Sequence, residues 1–104
     1  MVEDTIDFII GGETIAAPIL NFAALKRAWP AIRSLADETD LLGQASRVVE
    51  IVAAALSRTR PDLTVAEIEH RLRVDEVVGL VATAPLLLDL SGLIPRGEPR
   101  AGEA

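Results

Sequence analysis

The chain has 104 residues and a formal net charge of −6, and half of its residues are hydrophobic although only 3% are aromatic. This length suits a single domain whose core is built mainly from Ala, Val, Leu and Ile. The acidic balance argues against nucleic-acid binding, which depends on Lys and Arg neutralising phosphates. The absence of cysteine excludes disulfides and thiolate chemistry, and it fits a reducing compartment.

The N-terminal charges and the longest apolar run predict where the protein resides. Glu3, Asp4 and Asp7 lie where a secretory signal would be positively charged. The apolar run over residues 77–88 is too short for a helix to cross a bilayer core of about 30 Å. We therefore expect neither export nor membrane insertion, and we take the cytoplasm as the expected location.

Two short alternating segments at the start of the chain predict a β-hairpin around the turn Gly11-Gly12. A phosphate-binding loop is the weaker interpretation of this turn, because no P-loop Lys-Ser/Thr pair follows it. The expected register places both apolar faces on one side of the hairpin, which must then rest on helices. Its predicted pairs are Ile10 with Glu13, Phe8 with Ile15, and Ile6 with Ala17.

A first helix is expected to begin after the N-cap residue Asn21. Pro30 costs about 3 kcal/mol inside a helix, so we expect a kink or break near Trp29. Phe22 and Trp29 are interpreted as core residues rather than as a binding surface, although both belong to residue types that are enriched at interfaces. The residues at helical spacing along this segment are Phe22, Leu25, Trp29 and Ile32.

A polar linker over residues 37–40 leads into the second predicted helix, which runs from Asp40 to about Arg58 and stops before Pro61. The linker is not a calcium loop, because the alternating ligands and central glycine of such loops are missing. Seven apolar positions form one stripe along this helix. They are Leu41, Leu42, Ala45, Val48, Val49, Val52 and Leu56.

The third helix is predicted from Thr64 to about Arg73, with a capping box in which Thr64 caps Glu67 and Glu67 caps Thr64 in return. Leu63 and Ile68 are placed to close a hydrophobic staple around this start.

The fourth predicted helix is capped by Asp75 and is apolar almost all round, so it belongs in the core or at an interface. Pro85 interrupts it, and Gly92 suits the left-handed position after its last turn, where Leu93 would pack back on Leu88. We assign residues 1–93 to one domain and residues 94–104 to a disordered tail.

No residue cluster predicts catalysis, metal binding or cofactor binding. His70 is the only histidine and has no nucleophile signature nearby, so we interpret it as a surface residue. Among the carboxylates that could form a catalytic pair, Glu67 and Asp75 are accounted for by capping. The sequence therefore predicts a protein that is not an enzyme.

Several segments, taken as an ordered set, resemble the tail assembly chaperones of long-tailed phages and prophages. The resemblance covers residues 5–93. It is carried by the short strand pair, by residues 20–30 (LNFAALKRAWP), by residues 58–69 (RTRPDLTVAEIE) and by Ser91-Gly92-Leu93. Two features depart from the family pattern: Pro85 lies inside the last helix, and Val74 occupies a position where a small polar cap is expected.

The resemblance implies a mainly α, non-enzymatic domain with about four helices and a short N-terminal β-hairpin. It also implies binding to the tape measure protein, recruitment of tail tube protein, and action in several copies in the bacterial cytoplasm, with possible self-association. As partner-binding residues we select Phe22, Trp29 and Leu42, because the expected kink at Pro30 and the linker after it favour their partial exposure. The alternative interpretation is a small helical adaptor or regulator of another bacterial complex.

Overall fold

The structure, a computed structural model, describes residues 5–92. Within them a hairpin precedes four α-helices, which confirms a mainly α domain with a short N-terminal β-hairpin. The predicted tail and the predicted contact of Leu93 lie outside the described residues. The elements are β1 (Thr5–Ile10), β2 (Glu13–Pro18), α1 (Phe22–Leu35), α2 (Leu41–Leu56), α3 (Val65–Arg71), a single 3₁₀ turn (Val74–Glu76) and α4 (Val77–Leu90).

The hairpin has the predicted antiparallel register, in which Phe8 lies opposite Ile15. Gly11 and Gly12 have φ angles of 63° and 82°, as a two-residue turn that matches the strand twist requires. Phe8 and Ile15 are buried, while the side chain of Ile9 points to the other face and is exposed. The buried face packs on helices, because β1 contacts α4 and β2 contacts α2.

Helix α2 is the centre of the fold, and α1, α3, α4 and β2 all contact it. Asp40, from which the helix was predicted to start, is its N-cap, since its Oδ1 accepts from the N–H of Gly43 at 2.7 Å. Eight of its 16 residues are buried. Leu41 and Leu42, the first two residues of the predicted apolar stripe, are exposed. They lie in the first turn of α2, before the buried part of the helix begins at Ala45.

Helix α1 is capped by Asn21, whose Oδ1 accepts from the N–H of Ala24 at 2.9 Å. Of the predicted kink or break near Trp29, the break is wrong, because the helix continues through Pro30 to Leu35. Pro30 is exposed, so its ring lies on the solvent side. The packing of α1 against α2 offsets the backbone hydrogen bond that the proline removes.

The start of α3 confirms one half of the predicted capping box. Thr64 Oγ1 accepts from the N–H of Glu67 at 3.2 Å. The Glu67 carboxylate instead accepts from Arg71 Nε at 2.6 Å, one helical turn later. Helix α3 also ends at Arg71, two residues before the predicted Arg73, because Leu72 adopts extended backbone angles.

The prediction that Asp75 caps α4 is wrong. Instead, the carboxylate of Glu76 accepts hydrogen bonds from the backbone around the start of this helix. Glu76 Oε1 accepts from the N–H of Gly11 at 2.7 Å and from the N–H of Arg73 at 3.0 Å, while Oε2 accepts from the N–H of Gly12 at 2.8 Å. The hairpin turn therefore does bind an anion, and this anion is a carboxylate of the same chain. The link holds the hairpin against the start of α4.

The pKa of Glu76 lies below its ordinary value. The largest cause is the hydrogen bond from the backbone of Arg73, and the N–H groups of Gly11 and Gly12 act in the same direction. At the other end of α4, Gly92 has a φ of 83°, as predicted for the residue that follows the last turn.

Candidate partner-binding surface

The three residues selected from the sequence are all exposed. Phe22 is 74% exposed, Trp29 47% and Leu42 75%. The interpretation of Phe22 and Trp29 as core residues is therefore wrong. Exposed large apolar side chains that lie next to one another are typical of binding surfaces, whereas scattered ones need no explanation. Their arrangement therefore decides what they can do.

The fully buried side chains of helix α1 are all small, and its two aromatic side chains are exposed. Its buried residues are Ala24, Ala28 and Ala31. Alanine has only a methyl group, so a helix with an alanine face can lie close to its neighbour. The packing partner is α2, which is itself rich in alanine and valine. Of the apolar face predicted from the sequence, Phe22 and Trp29 are therefore exposed, whereas Leu25 and Ile32 are partly buried.

The opposite side of α1 carries four residues at positions i, i+4, i+7 and i+11, a spacing that places them on one face of a helix. They are Phe22, Lys26, Trp29 and Arg33, and all four are exposed. We call these four residues the α1 outer face. Aromatic and cationic side chains alternate along it.

The aromatic part of the α1 outer face borders a shallow open depression of about 410 Å³. Phe22, Leu25, Lys26 and Trp29 line it. The Lys26 ammonium lies 5.9 Å from the centroid of the Phe22 ring, at the outer limit of a cation–π interaction. A positive charge is therefore held beside an apolar surface that a partner side chain can cover.

The charge of α1 is opposite to that of the chain as a whole. The helix contains Lys26, Arg27 and Arg33 and no acidic residue, in a chain of net charge −6. Arg47, Arg60 and Arg71, which lie elsewhere in the chain, are each paired with carboxylates, as Arg47 is with Glu50 at 2.9 Å. Within residues 5–92, none of the three α1 cations forms an ion pair. Their charges are thus available to a partner.

Leu42 does not belong to this surface. It lines a separate depression of about 240 Å³, together with Val49 and Leu72 from α2 and the end of α3. Val74 borders the same depression and is 90% exposed. The structure therefore brings Phe22 and Trp29 together and leaves Leu42 apart. In the sequence, Val74 had been noted only because it occupies a position where the family pattern has a small polar cap.

A second exposed apolar stripe follows α4, which the sequence placed in the core or at an interface. One side of the helix is buried through Leu80, Ala84, Leu87 and Leu88. The other side exposes residues at a regular spacing of four, which is typical of one helix face. They are Val78, Ala82, Leu86 and Leu90.

The remaining candidate residues were examined for a possible metal site in the described part of the chain. His70 is exposed in the last turn of α3, as expected for a surface histidine. Residues 5–92 contain no group of three or more His, Asp or Glu side chains that could hold a metal ion. Across the same residues, the helices are too short or too polar to span a membrane.

The chain matches no protein-family model, no curated protein and no solved structure.

Proposed function

We propose that this protein is a tail assembly chaperone of a phage or prophage, which binds the tape measure protein, keeps it soluble and helps to recruit tail tube subunits. The observation that carries the proposal is the outward-facing aromatic side of α1. A small domain that buries alanines and exposes Phe22 and Trp29 on the same helix has an apolar surface to offer a partner. The sequence resemblance supplies the identity of that partner.

The mechanism follows from the chemistry of a long amphipathic helix. Such a helix aggregates through its apolar stripe unless the stripe is covered along its length. One copy of a domain this small covers only a short part of it, so several copies are needed. The net charge of −6 keeps the resulting complex soluble in the bacterial cytoplasm.

The test is co-expression with the tape measure protein encoded beside this chain, followed by size-exclusion chromatography with light scattering. We expect a soluble complex with several copies of the chain. The double variant Phe22→Glu, Trp29→Glu should abolish it, because charges replace the apolar contacts. The double variant Thr59→Glu, Ala66→Glu is the matched control, since it adds the same charge at exposed positions outside the α1 outer face.

The proposal fails if the tape measure protein remains insoluble and no complex with several copies elutes. Gene context provides an independent check: we expect a tail tube gene upstream and a tape measure gene downstream. Metabolic or regulatory neighbours would instead favour the adaptor interpretation.

A further inference from the structure

We propose that the α1 outer face binds an acidic amphipathic helix, with Phe22 and Trp29 covering its apolar residues and Lys26 and Arg33 pairing with its carboxylates. This inference rests on the proposed function and deepens it, because it names the surface and the chemistry of the partner segment. It predicts that the cations select the segment and do not merely keep the helix soluble.

The geometry of the α1 outer face fits a helix that lies along it. The four residues extend over three helical turns, or about 16 Å. Aromatic and cationic groups alternate along this length, so a partner helix needs apolar residues one turn apart with Asp or Glu beside them. This is the helix-in-groove mode of recognition, in which residues at i, i+3/4 and i+7 anchor the segment.

Charge complementarity identifies the partner as acidic. Lys26 and Arg33 make no ion pair within residues 5–92. A basic segment would bring like charges together at both positions, whereas an acidic one would pair them. The rest of the chain has seven Lys and Arg against sixteen Asp and Glu, so its net charge repels an acidic segment, whereas every charged residue of α1 is basic.

A second copy of this chain is a poorer occupant. The exposed stripe of α4, formed by Val78, Ala82, Leu86 and Leu90, has no carboxylate at any of its four positions. It could cover the aromatic rings of α1 but would leave the two cations unpaired. A foreign helix that carries carboxylates satisfies both parts of the surface.

Trp29 provides a direct assay, because it is the only tryptophan of the chain and lies within the proposed surface. The probes are three synthetic helical peptides with identical apolar residues and with Glu, Gln or Lys at the flanking positions. Titration of the full chain with the Glu peptide should shift the emission of Trp29 to shorter wavelength. We expect it to bind about tenfold more tightly than the Gln peptide, as two exposed ion pairs predict, and to weaken in high salt.

The double variant Lys26→Glu, Arg33→Glu should reverse the preference, so that the Lys peptide binds best. Arg27→Glu is the control: it reverses a charge on the same helix, but Arg27 lines a different groove with Glu50 and Thr64. Equal binding of the Glu and Lys peptides to the wild-type chain would overturn the inference, as would an equally strong effect of Arg27→Glu.

Three further outcomes distinguish this inference from its alternatives. Self-association that depends on concentration and is abolished by Lys26→Glu, Arg33→Glu would assign the face to a second copy and overturn the inference. If the wild-type chain prefers the Glu peptide but fails to solubilise the tape measure protein, the chaperone proposal fails and the acidic-helix site stands. If the tape measure complex forms equally well with Lys26→Glu, Arg33→Glu, the chaperone stands and the site fails.

Discussion

The substitution Phe8→Ala tests whether the hairpin is an integral part of the domain. Phe8 is 1% exposed, lies opposite Ile15 and belongs to the same core as the helices. Removal of a buried phenyl ring costs about 3–5 kcal/mol, through lost burial and the cavity that remains. The neighbouring residue Ile9 is 56% exposed on the other face of the same strand, so Ile9→Ala should cost less than about 1 kcal/mol.

Both variants replace a large apolar residue in β1 by Ala, so both change the strand propensity in a similar way. A difference between their stabilities therefore reports the docking of the hairpin on the helices. The measurement is unfolding in urea, followed by circular dichroism and by the fluorescence of Trp29. A domain of this kind has about 5–15 kcal/mol of total stability, so Phe8→Ala should lower the midpoint strongly with little change in slope. Equal losses for Phe8→Ala and Ile9→Ala, or a loss below about 1 kcal/mol for Phe8→Ala, would refute docking of the hairpin on the helices.

Three other predictions concern helix starts and the link between the hairpin and α4. Thr64→Ala should cost about 1 kcal/mol in a denaturant titration, and a loss of only about 0.2 kcal/mol would mean that Thr64 does not stabilise α3 as a cap. Gly79→Ala should stabilise the chain by about 0.5–1 kcal/mol, because an added Cβ meets nothing within 4 Å; a lower melting temperature would contradict this. The pKa of Glu76 is lower in the folded chain than in the unfolded one. The ionised carboxylate therefore stabilises the folded chain fully above the ordinary pKa of 4.5, and this stabilisation is lost as the pH falls through the pKa of the folded state. Glu76→Gln should therefore have a melting temperature that depends less on pH in this range, and parallel curves for both proteins would contradict the role of the carboxylate.

The sequence predicted the features that depend on neighbouring residues. Asn21 and Thr64, both predicted as N-caps, each accept from an N–H three residues later, so four consecutive positions are enough to recognise such a cap. The register of the hairpin was also predicted correctly, because the alternation of apolar and polar residues and the two-residue turn together determine it. In each case the partner lies only a few residues away in the chain.

Two of the missed features depend on partners that are distant in sequence. Glu76 accepts from Gly11, 65 residues earlier, and nothing near Asp75 and Glu76 reveals which carboxylate the hairpin turn will use. The break at Pro30 was predicted from the local cost of proline, which the packing of α1 on α2 offsets.

The orientation of α1 was missed for a different reason. A pattern of large apolar residues at helical spacing identifies an amphipathic face, but it does not say whether that face meets the protein's own core or a partner. The side of α1 that faces the core is the one with Ala24, Ala28 and Ala31, which are small enough to let α1 lie close to α2. Alanine is weakly hydrophobic, so a search for large apolar residues at helical spacing does not identify this face as the buried one.

Because the α1 outer face is exposed, its two cations affect both self-association and partner binding. An uncharged stripe that contained Phe22 and Trp29 would promote aggregation of free copies through these faces. Lys26 and Arg33 oppose this, because two outer faces that approach each other bring like charges together. The same repulsion disappears when an acidic helix arrives, so one pair of cations both protects the free domain and selects its partner. Replacement of both cations by Gln should therefore increase self-association and weaken binding of the Glu peptide together, as light scattering and the fluorescence of Trp29 would measure. If only one of the two properties changes, protection and selection do not share the same residues.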